Sequence, residues 1–340
     1  MSTTRLSAER DSQALRELSY RSRQAFVATK QALGLSARAD KTFFVDKFSR
    51  ELRSAATRRT CGIATLGRTD GAGAQAQSLM SAIAFAHAHG LQYVHRPFAT
   101  IEHAETEMPT WVRLWEDYFN LGDGESFLDD DERPLVSLDY LHQVPRHVPV
   151  VAAAEHYLHY CNQDAEAWER VRPLLRAKYW KNKSPGRHPR VPDELRIAIH
   201  MRRGDVSAGN KKVANNFTPN ATFVNTLQRL RSLIGERAQV LRIDLLSQGT
   251  PDMFADMSAL GATLRLNEPA VETHRTMVEA DILVMSKGAF SYTAALLNDG
   301  IVLYDPQKYR ALQDWSVRAP DGSFDEAEVS ARLAALFARV

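Results

Sequence analysis

An apolar run leads directly into anion-binding side chains at residues 195–205, which read Leu-Arg-Ile-Ala-Ile-His-Met-Arg-Arg-Gly-Asp. The run has the length of a buried parallel strand, and open α/β sheets bind ligands at the carboxyl ends of such strands. Successive side chains of a strand point to opposite faces. One of Arg202 and Arg203 is therefore expected to meet a ligand beside His200, while the other pairs with a carboxylate. Because the guanidinium fork binds phosphate or carboxylate, the stretch predicts an anion site.

Two other predicted strands also end in polar or small residues. The run at 281–286 leads through a Ser-Lys-Gly-Ala turn into a helix, and the strand at 239–246 is followed by Ser247 and Gln248. Hydroxyl groups and the N–H groups of a helix start both bind oxyanions. Three strand ends of one sheet therefore predict a common site for an oxyanion or a diphosphate.

A glycine pair, Gly71 and Gly73, follows the predicted strand Cys61–Leu66 and opens the predicted helix Ala74–His89. Such a turn directs backbone N–H groups and the positive end of the helix dipole toward an anion. The segment lacks the acidic residue of a dinucleotide site and the Lys-Ser/Thr of a P-loop. A tight structural turn explains the glycines equally well, so both interpretations stay open.

Strands and helices alternate in both halves of the chain. The predicted strands lie at 61–66, 91–98, 148–152, 195–201, 239–246, 262–266, 281–286 and 300–304. The predicted helices lie at 6–58, 74–89, 153–181, 219–235, 270–279, 290–298 and 325–339. Residues 101–145 are expected to be irregular. Pro149 is expected to confine its strand to a sheet edge or to a strand start.

This alternation predicts an α/β fold with two doubly wound, Rossmann-like domains that face each other across a cleft. A basic segment rich in proline, Lys181–Pro192, is the candidate linker. We expect an N-terminal domain at 1–190 with a helical extension at 1–58, a second domain at 191–320 and a C-terminal helix at 321–340. The length of 340 residues suits two cores better than one.

The composition is that of an ordinary globular protein, with 44% hydrophobic and 25% charged residues. The net charge of +2 gives no reason to expect a nucleic-acid partner. Residues 1–60 hold 13 Lys and Arg against 6 Asp and Glu, which indicates a solvated helix face or, as the alternative, an arm for an acidic partner. The sequence shows no signal peptide, transmembrane segment or cysteine pair, so a cytoplasmic location is expected.

Residues 200–205, His-Met-Arg-Arg-Gly-Asp, resemble the His-x-Arg-Arg-x-Asp signature of the α1,2/α1,6/protein-O-fucosyltransferase superfamily. Residues 281–295 resemble the C-terminal motif of that superfamily, which is an apolar strand, a Ser-rich turn and a helix. Residues 93–103 and 115–122 are similar to the N-terminal half of its bacterial α1,6-like branch. The resemblance covers roughly residues 60–305.

The resemblance implies the GT-B fold and a glycosyltransferase that transfers fucose from GDP-fucose to a hydroxyl of a glycan or glycolipid-like conjugate. It also implies inversion at the anomeric carbon and no requirement for a metal or other cofactor. The N-terminal domain would then be the acceptor side, and the second domain would bind the GDP-sugar. Arg202 would be the catalytic residue at the β-phosphate, and His200 would contact the guanosine part.

The other donor-binding residues lie at the predicted strand ends and helix starts. They are Arg203, Asp205, Gly71, Gly73, Ser247, Gln248, Glu272, Thr273, Ser286, Ala289, Phe290 and Ser291. The acceptor-side candidates are His95, Glu102, Trp111 and Trp115, although the two tryptophans also have the spacing of core residues. The candidates for the catalytic base are Asp70, Glu102 and Asp205.

Several positions depart from the pattern of the superfamily. Its Ser-Ser pair after the third strand is Gly288-Ala289 here, and its guanine-reading Asp falls on Thr273, with a glutamate beside it. A Lys and a Glu that follow the signature Asp in the α1,6 branch are Val206 and Asn210. These changes leave open a different GDP-sugar, or a non-catalytic module that binds nucleotide or an acidic polymer.

Two clusters contain residue types that bind metals. The Asp triplet at 129–131 matches the Asp-x-Asp metal site of GT-A glycosyltransferases, and His156, His159 and Cys161 are residue types that hold Zn²⁺. The triplet does not follow a clear buried strand, and the His/Cys group lacks a fourth ligand. A solvated turn and an ordinary, partly buried helix are the favoured interpretations, so no metal is expected.

Overall fold

The computed structural model of the protein describes residues 49–181, 183, 194–206, 214–238 and 240–338. Most of the predicted helix at 6–58 and of the predicted linker Lys181–Pro192 lies outside the described residues, as does Asn210. Residues 49–56 are helical. The chain divides into two compact units between Lys178 and Tyr179.

The first unit contains a five-stranded parallel sheet with the strand order β3-β2-β1-β5-β4. Its strands are β1 (Cys61–Thr65), β2 (Gln92–His95), β3 (Ser126–Phe127), β4 (Leu135–Ser137) and β5 (Val150–Ala154). Its further helices are α1 (Ala72–His89), α2 (Met108–Phe119), α3 (Leu158–Gln163) and α4 (Ala167–Trp180). The residues of β1 and β5 are small or apolar and entirely buried, as in the central strands of parallel sheets.

Helix α1 packs beside β1 and β2, and most of its residues are buried because they are alanines and other small or apolar side chains. It ends at Gly90, where φ is 61° and the backbone N–H donates to the carbonyl groups of Ala86 and His87. Glycine adopts this left-handed conformation without steric cost, which is why the helix stops there. The helix end predicted from the sequence, at His89, is therefore confirmed.

The expectation that residues 101–145 are irregular is wrong. This region contains α2 and the short strands β3 and β4. Helix α2 starts with a proline in its first turn and buries one aromatic face, formed by Trp111, Trp115, Tyr118 and Phe119. The short strands carry too few residues to show a period, whereas α2 does carry its aromatic residues at helical spacing.

Of the two positions predicted for Pro149, a sheet edge or a strand start, the structure shows the strand start. Strand β5 starts at Val150, directly after the proline, and lies between β1 and β4. The helix predicted at 153–181 starts only at Leu158 and is split into α3 and α4. The reason is that Ala153 and Ala154 pair with β1 in the sheet, so tertiary pairing overrides the helix propensity of alanine.

The second unit contains a six-stranded parallel sheet with the order β11-β10-β9-β6-β7-β8. Its strands are β6 (Glu194–Met201), β7 (Val240–Ser247), β8 (Thr263–Leu266), β9 (Ile282–Val284), β10 (Ile301–Tyr304) and β11 (Ser316–Val317). Its helices are α5 (Asn220–Ile234), α6 (Ala255–Ala259), α7 (Ala270–Glu279), α8 (Ala289–Leu297) and α9 (Glu326–Phe337). The predicted elements of this half end within two residues of these bounds, whereas α6 and β11 were not predicted.

The order of this sheet reverses at β6. Strands β7 and β8 extend to one side of it, and β9, β10 and β11 extend to the other side. The apolar residues of β6, β7, β9 and β10 form a core with α5 and α9. The α/β class with two doubly wound parallel sheets is therefore confirmed. Within the described ranges, every helix is too short or too polar to span a bilayer.

Candidate functional site

The carboxyl ends of β6 and β9 lie side by side in the second unit, since Val284, the last residue of β9, pairs with Ile199, two residues before the end of β6. This is the point where the strand order reverses, and open α/β sheets bind ligands in the crevice there. The residues after β6 are the predicted signature, and those after β9 are the predicted Ser-Lys-Gly-Ala turn. The structure therefore brings the two motifs together, as the sequence predicted.

Arg202 lies at this point with its side chain 31% exposed. Its Nη2 donates to Asp205 Oδ2 at 2.6 Å, and its Nε donates to Asp205 Oδ1 at 3.3 Å. A Cβ added to Gly288 would be 2.6 Å from Arg202 Nη1, and the φ of Gly288 is 127°. Glycine is therefore required at 288 for two reasons, its backbone conformation and the close approach of the guanidinium.

Gly288 is also the residue that precedes α8. Its N–H donates to Gln307 Oε1 at 2.7 Å, and its carbonyl accepts the first bond of the helix, from the N–H of Tyr292 at 3.1 Å. The N–H groups of the first turn are free of such bonds within a helix, and the helix dipole adds a partial positive charge there. The guanidinium of Arg202 and the N-terminus of α8 thus lie next to each other, and both attract an anion.

His200 is buried behind this site. Its Nδ1 lies 2.5 Å from Ser291 Oγ and 3.0 Å from Ser286 Oγ. Burial, followed by the charges of Arg202 and Arg203, lowers the pKa of His200 to about 3, so the imidazole is neutral at physiological pH. The hydroxyls of Ser286 and Ser291, predicted to bind the donor, therefore orient this histidine.

A second neutral imidazole, His274 of α7, lies nearby and was missed by the sequence analysis. Its Nε2 is 3.0 Å from Thr293 Oγ1, and burial, followed by the electrostatic interaction with His200, lowers its pKa to about 3. The ring of Phe290 is 5.7 Å from that of His200 and 5.0 Å from that of His274. The predicted Glu272 and Thr273 precede His274 in α7 and are half-buried.

We expect the two imidazoles to make stability depend on pH. The folded state holds both neutral down to about pH 3, whereas the unfolded chain takes up protons below pH 6.5. This contribution to stability is fully present above pH 6.5 and is lost as the pH falls. The free energy of unfolding should drop by on the order of 2 kcal/mol per histidine between pH 6.5 and 5. Urea denaturation of the wild type and of His274→Gln, whose profile should be shallower, checks this, and identical profiles would contradict it.

Arg203 is buried and pairs with no carboxylate of the residues that the structure describes, which corrects the prediction. Its guanidinium donates to Asn220 Oδ1 at 2.7 Å and to the carbonyl groups of Thr218 and Arg202 at 2.9 Å, and it stacks over Phe217. Asp205 pairs with Arg202 instead. Burial lowers the pKa of Arg203. This arginine therefore joins the end of β6 to the start of α5 and presents no free face to a donor.

The residues at the end of β7 contact the turn that follows β6. Ser247 Oγ donates to the Met201 carbonyl at 2.6 Å, so its hydroxyl joins β7 to β6. The side chain of Gln248 contacts Gly204, whose φ is 80°. Of these two predicted donor-binding residues, Ser247 holds the sheet together and Gln248 lies beside the turn that carries Arg202.

The predicted glycines of the first unit lie at the carboxyl end of β1. Gly71 caps α1 and Gly73 is buried in its first turn. Asp70 is ion-paired with Arg68, and its carbonyl accepts the N–H of Glu102 at 3.4 Å. The side chain of Glu102 is exposed. These residues form one loop cluster at the strand end, which is where the sequence placed them.

Three of the acceptor-side candidates are interior residues. His95 is fully buried, with Nδ1 3.0 Å from the Tyr93 hydroxyl and Nε2 3.1 Å from Glu116 Oε2. Trp111 and Trp115 are 2% and 0% exposed and pack edge to face with ring centroids 5.6 Å apart. Of the two interpretations of the tryptophans, the structure supports core packing. The prediction that His95 faces an acceptor is corrected by its burial.

The two metal-binding interpretations find no support in geometry. Asp131 of the acidic triplet pairs with Arg133 at 2.6 Å, a contact that lowers the pKa of the carboxyl. His159 Nε2 contacts Ser49 Oγ at 3.1 Å, and Cys161 is buried. Among the described residues, no group of three or more His, Cys, Asp or Glu side chains is arranged to hold a metal ion.

No protein-family model and no curated protein match the sequence. The solved structures that match include three with related descriptions. Heptosyltransferase WaaC of E. coli with ADP-2-deoxy-2-fluoro heptose is 13% identical over 82% of this chain and 99% of its own, with a TM-score of 0.36. POFUT1 in complex with GDP-fucose is 11% identical over 72% and 95%, with a TM-score of 0.39. The α-1,6-fucosyltransferase NodZ co-crystallized with GDP is 13% identical over 72% and 95%, with a TM-score of 0.36. At these scores the likeness carries no argument about donor, acceptor or reaction.

Proposed function

We propose that the protein is a glycosyltransferase that transfers a sugar, in the first instance fucose, from a GDP-sugar to a hydroxyl of a glycan or glycoconjugate. The transfer inverts the anomeric carbon and requires no metal ion. The observation that carries the proposal is the position of Arg202, half-exposed at the strand-order reversal and in contact with the residue that precedes α8. The resemblance of residues 200–205 to the superfamily signature supports the same assignment.

In this reaction the acceptor oxygen forms a bond to the anomeric carbon, while the bond from that carbon to the β-phosphate oxygen breaks. The electron pair of the broken bond leaves with the diphosphate, which gains negative charge. Positive groups that are already in place stabilise this charge without reorganisation. The proton of the acceptor hydroxyl passes to water or to a carboxylate. Of the three candidate bases, Asp70 and Asp205 are ion-paired with arginines and Glu102 is exposed.

The geometry of Arg202 suits this task. Nε and Nη2 of Arg202 donate to the carboxylate of Asp205, while Nη1 faces Gly288 and makes no hydrogen bond to any described residue. The carboxylate of Asp205 is 46% exposed, so a diphosphate reaches the ion pair without first uncovering a buried charge. Asp205 thus acts as a positioning residue that orients the fork toward the helix start.

The guanosine part would lie beyond the diphosphate, against the surface that His200 and Phe290 form. This surface is neutral because the pKa of His200 is depressed, and Phe290 offers an aromatic ring that is partly exposed. Aromatic faces stack on bases, and because the hydroxyls of Ser286 and Ser291 engage Nδ1 of His200, its Nε2 is the ring nitrogen that would bond to the guanosine. The missing Ser-Ser pair is replaced in this assignment by the backbone N–H groups after Gly288.

Calorimetric titration with GDP, GDP-fucose, GDP-mannose and UDP tests the proposal. GDP and GDP-fucose are expected to bind with a stoichiometry of one, at least about tenfold more tightly than UDP, and with the same affinity in the presence of EDTA. A screen with labelled GDP-fucose then identifies acceptors. Binding of UDP that depends on Mn²⁺, or no nucleotide binding, would contradict the proposal. Binding of GDP-fucose without transfer or hydrolysis would favour the non-catalytic module.

A further inference from the structure

The loop that follows β10 contributes one side chain to the start of α8. Gln307 Oε1 accepts the N–H of Gly288 at 2.7 Å. Gly288 is the N-cap of α8 and, as a glycine, has no side chain that could cap the helix. The donor site proposed above depends on this piece of backbone, because Arg202 Nη1 lies against it. Gln307 therefore contacts the one residue that touches both the guanidinium and the helix start.

Two buried tyrosines hold the loop that carries Gln307. The hydroxyl of Tyr304, the last residue of β10, accepts the N–H of Gln307 at 3.1 Å and donates to the carbonyl of Tyr309. The hydroxyl of Tyr292 in α8 donates to the carbonyl of Arg310 at 2.5 Å. Both tyrosines lie in the interior, where they are 4% and 0% exposed. The position of the Gln307 amide is therefore set by buried side chains that bond to the loop around it.

The amide of Gln307 has only one of its two ends bonded. Its Nε2 is buried and has no hydrogen-bond partner among the residues that the structure describes. Turning the amide over would bring Nε2 against the Gly288 N–H, and two donors would then face each other. A buried donor without an acceptor lowers stability, whereas a methionine of similar length would bury no polar atom. The bond to Gly288 is the contact that explains why a glutamine stands at 307.

Gly288 lies in close contact with Arg202. Its φ is 127°, and a Cβ there would be 2.6 Å from Arg202 Nη1. Glycine has more accessible backbone conformations than any other residue, so a glycine keeps one of them only when its neighbours hold it there. The bond to Gln307 supplies such a restraint. The N–H groups of the first turn of α8, which have no partner within the helix, thereby start from a fixed position beside the guanidinium.

We propose that Gln307 is a positioning residue of the donor site. Through its bond to the Gly288 N–H it holds the start of α8 against Arg202, so that the guanidinium and the helix start bind the diphosphate together. This role rests on the function proposed above, whereas the bond itself is a feature of the fold. Gln307 does not touch the donor, because its Nε2 is buried and its Oε1 is engaged. Its effect on binding and turnover therefore passes through Gly288 and Arg202.

Gln307→Met removes the acceptor of the Gly288 N–H and keeps the length of the side chain. The variant should raise the Kd of GDP about tenfold and lower kcat for transfer from GDP-fucose by at least that factor, because the two anion-binding groups are no longer held together. Its stability in urea should be no lower than that of the wild type, since no donor is left buried and water reaches the half-buried Gly288. Gln307→Leu serves in its place if this variant fails to fold.

Gln313→Met is the matched control, because it changes an exposed glutamine farther along the same segment. It should leave the Kd of GDP, kcat and stability unchanged. Lower stability of Gln307→Met with an unchanged Kd and kcat would show that Gln307 only ties a loop to a helix, and it would overturn the proposal.

A double-mutant cycle with Arg202→Gln tests whether Gln307 acts through the guanidinium. In the Arg202→Gln background, Gln307→Met should change the Kd of GDP by less than about twofold, since the effects of residues that act through one contact do not add. A full tenfold loss in both backgrounds would overturn the proposal.

Hydrogen exchange of the ligand-free protein tests the bond without any nucleotide. The Gly288 N–H should exchange faster in Gln307→Met than in the wild type, whereas the Tyr292 N–H, which bonds to the Gly288 carbonyl, should keep its rate. An unchanged rate at Gly288 would overturn the proposal. A wild type that binds no GDP would refute the proposed transferase together with this role of Gln307. A wild type that binds GDP with an affinity that Gln307→Met leaves unchanged would refute this role alone.

Discussion

Replacing Arg202 by glutamine is expected to lower kcat for sugar transfer by about 10²–10³-fold, the effect of removing one preorganised donor to a developing negative charge. Glutamine keeps much of the length of arginine but cannot carry the charge that stabilises the leaving diphosphate. The fold should persist, because Arg202 is partly exposed and its partner Asp205 is more exposed still. An exposed carboxylate that loses its partner is solvated at little cost. Initial rates with labelled GDP-fucose, together with urea denaturation, measure both quantities.

Arg229 supplies the matched control for this experiment. It forms an arginine–carboxylate pair with Glu326 that joins α5 to α9, with side chains 38% and 43% exposed. Arg229→Gln should leave kcat unchanged, and Arg202→Lys should lie between glutamine and the wild type, because lysine restores the charge but not the fork. If Arg202→Gln turned over at the rate of the wild type, the mechanism proposed here would be wrong.

Replacing Arg318 by methionine is expected to lower the free energy of unfolding by about 3–5 kcal/mol, as is typical when one partner of a buried ion pair is removed. Arg318 follows β11 and is 1% exposed. Its Nη2 donates to Asp305 Oδ2 at 3.0 Å and to the Met285 carbonyl at 3.1 Å. The variant leaves the carboxylate of Asp305 buried, and among the described residues the Thr218 hydroxyl at 2.6 Å and Lys287 Nζ at 4.0 Å are then left to stabilise it.

A double variant separates the loss of the pair from the loss of packing. Arg318 also lies over the ring of Phe223 at 4.4 Å, a contact that methionine retains in part. Asp305→Asn combined with Arg318→Met removes the unpaired charge and should recover a large share of the lost stability. Urea denaturation of the wild type, of the single variants Arg318→Met and Asp305→Asn, and of the double variant provides the thermodynamic cycle. A single variant as stable as the wild type would show that the pair contributes nothing. A double variant no better than Arg318→Met would assign the loss to packing.

This buried pair also bears on the donor site. Asp305 follows β10, and Arg318 donates to the carbonyl of the residue after β9. Thr218 links Arg203 to Asp305, because its carbonyl accepts from Arg203 and its hydroxyl donates to Asp305. The chain of contacts joins the ends of β6, β9 and β10 beneath Arg202. A catalytic group keeps its geometry best when the residues that support it are rigid. The buried pair gives the strand ends beneath Arg202 such a support. The sequence offers no pattern that would have predicted this arrangement.

Local patterns in the sequence determined the main elements of the second unit and the location of its site. The apolar run of β6 and the alternation of strands with helices depend on neighbouring residues, so they are visible without tertiary information. The prediction that three strand ends converge followed from the topology of parallel sheets, in which all carboxyl ends meet at one edge. This explains why His200, Arg202 and the residues around Gly288 were found from the sequence.

Tertiary contacts alone decided which side chains have partners and which are buried. Sequence spacing predicted a carboxylate partner for Arg203, but in the structure Asp205 pairs with Arg202. Arg203 donates instead to the side-chain amide of Asn220 and to two backbone carbonyl groups. The burial of Trp115 depends on α2 reaching the core, and the loop after β2 is held by Glu116 of that helix, which accepts the N–H of Phe98. Such partners come from elements far apart along the chain, and the distance between those elements is a property of the packed fold.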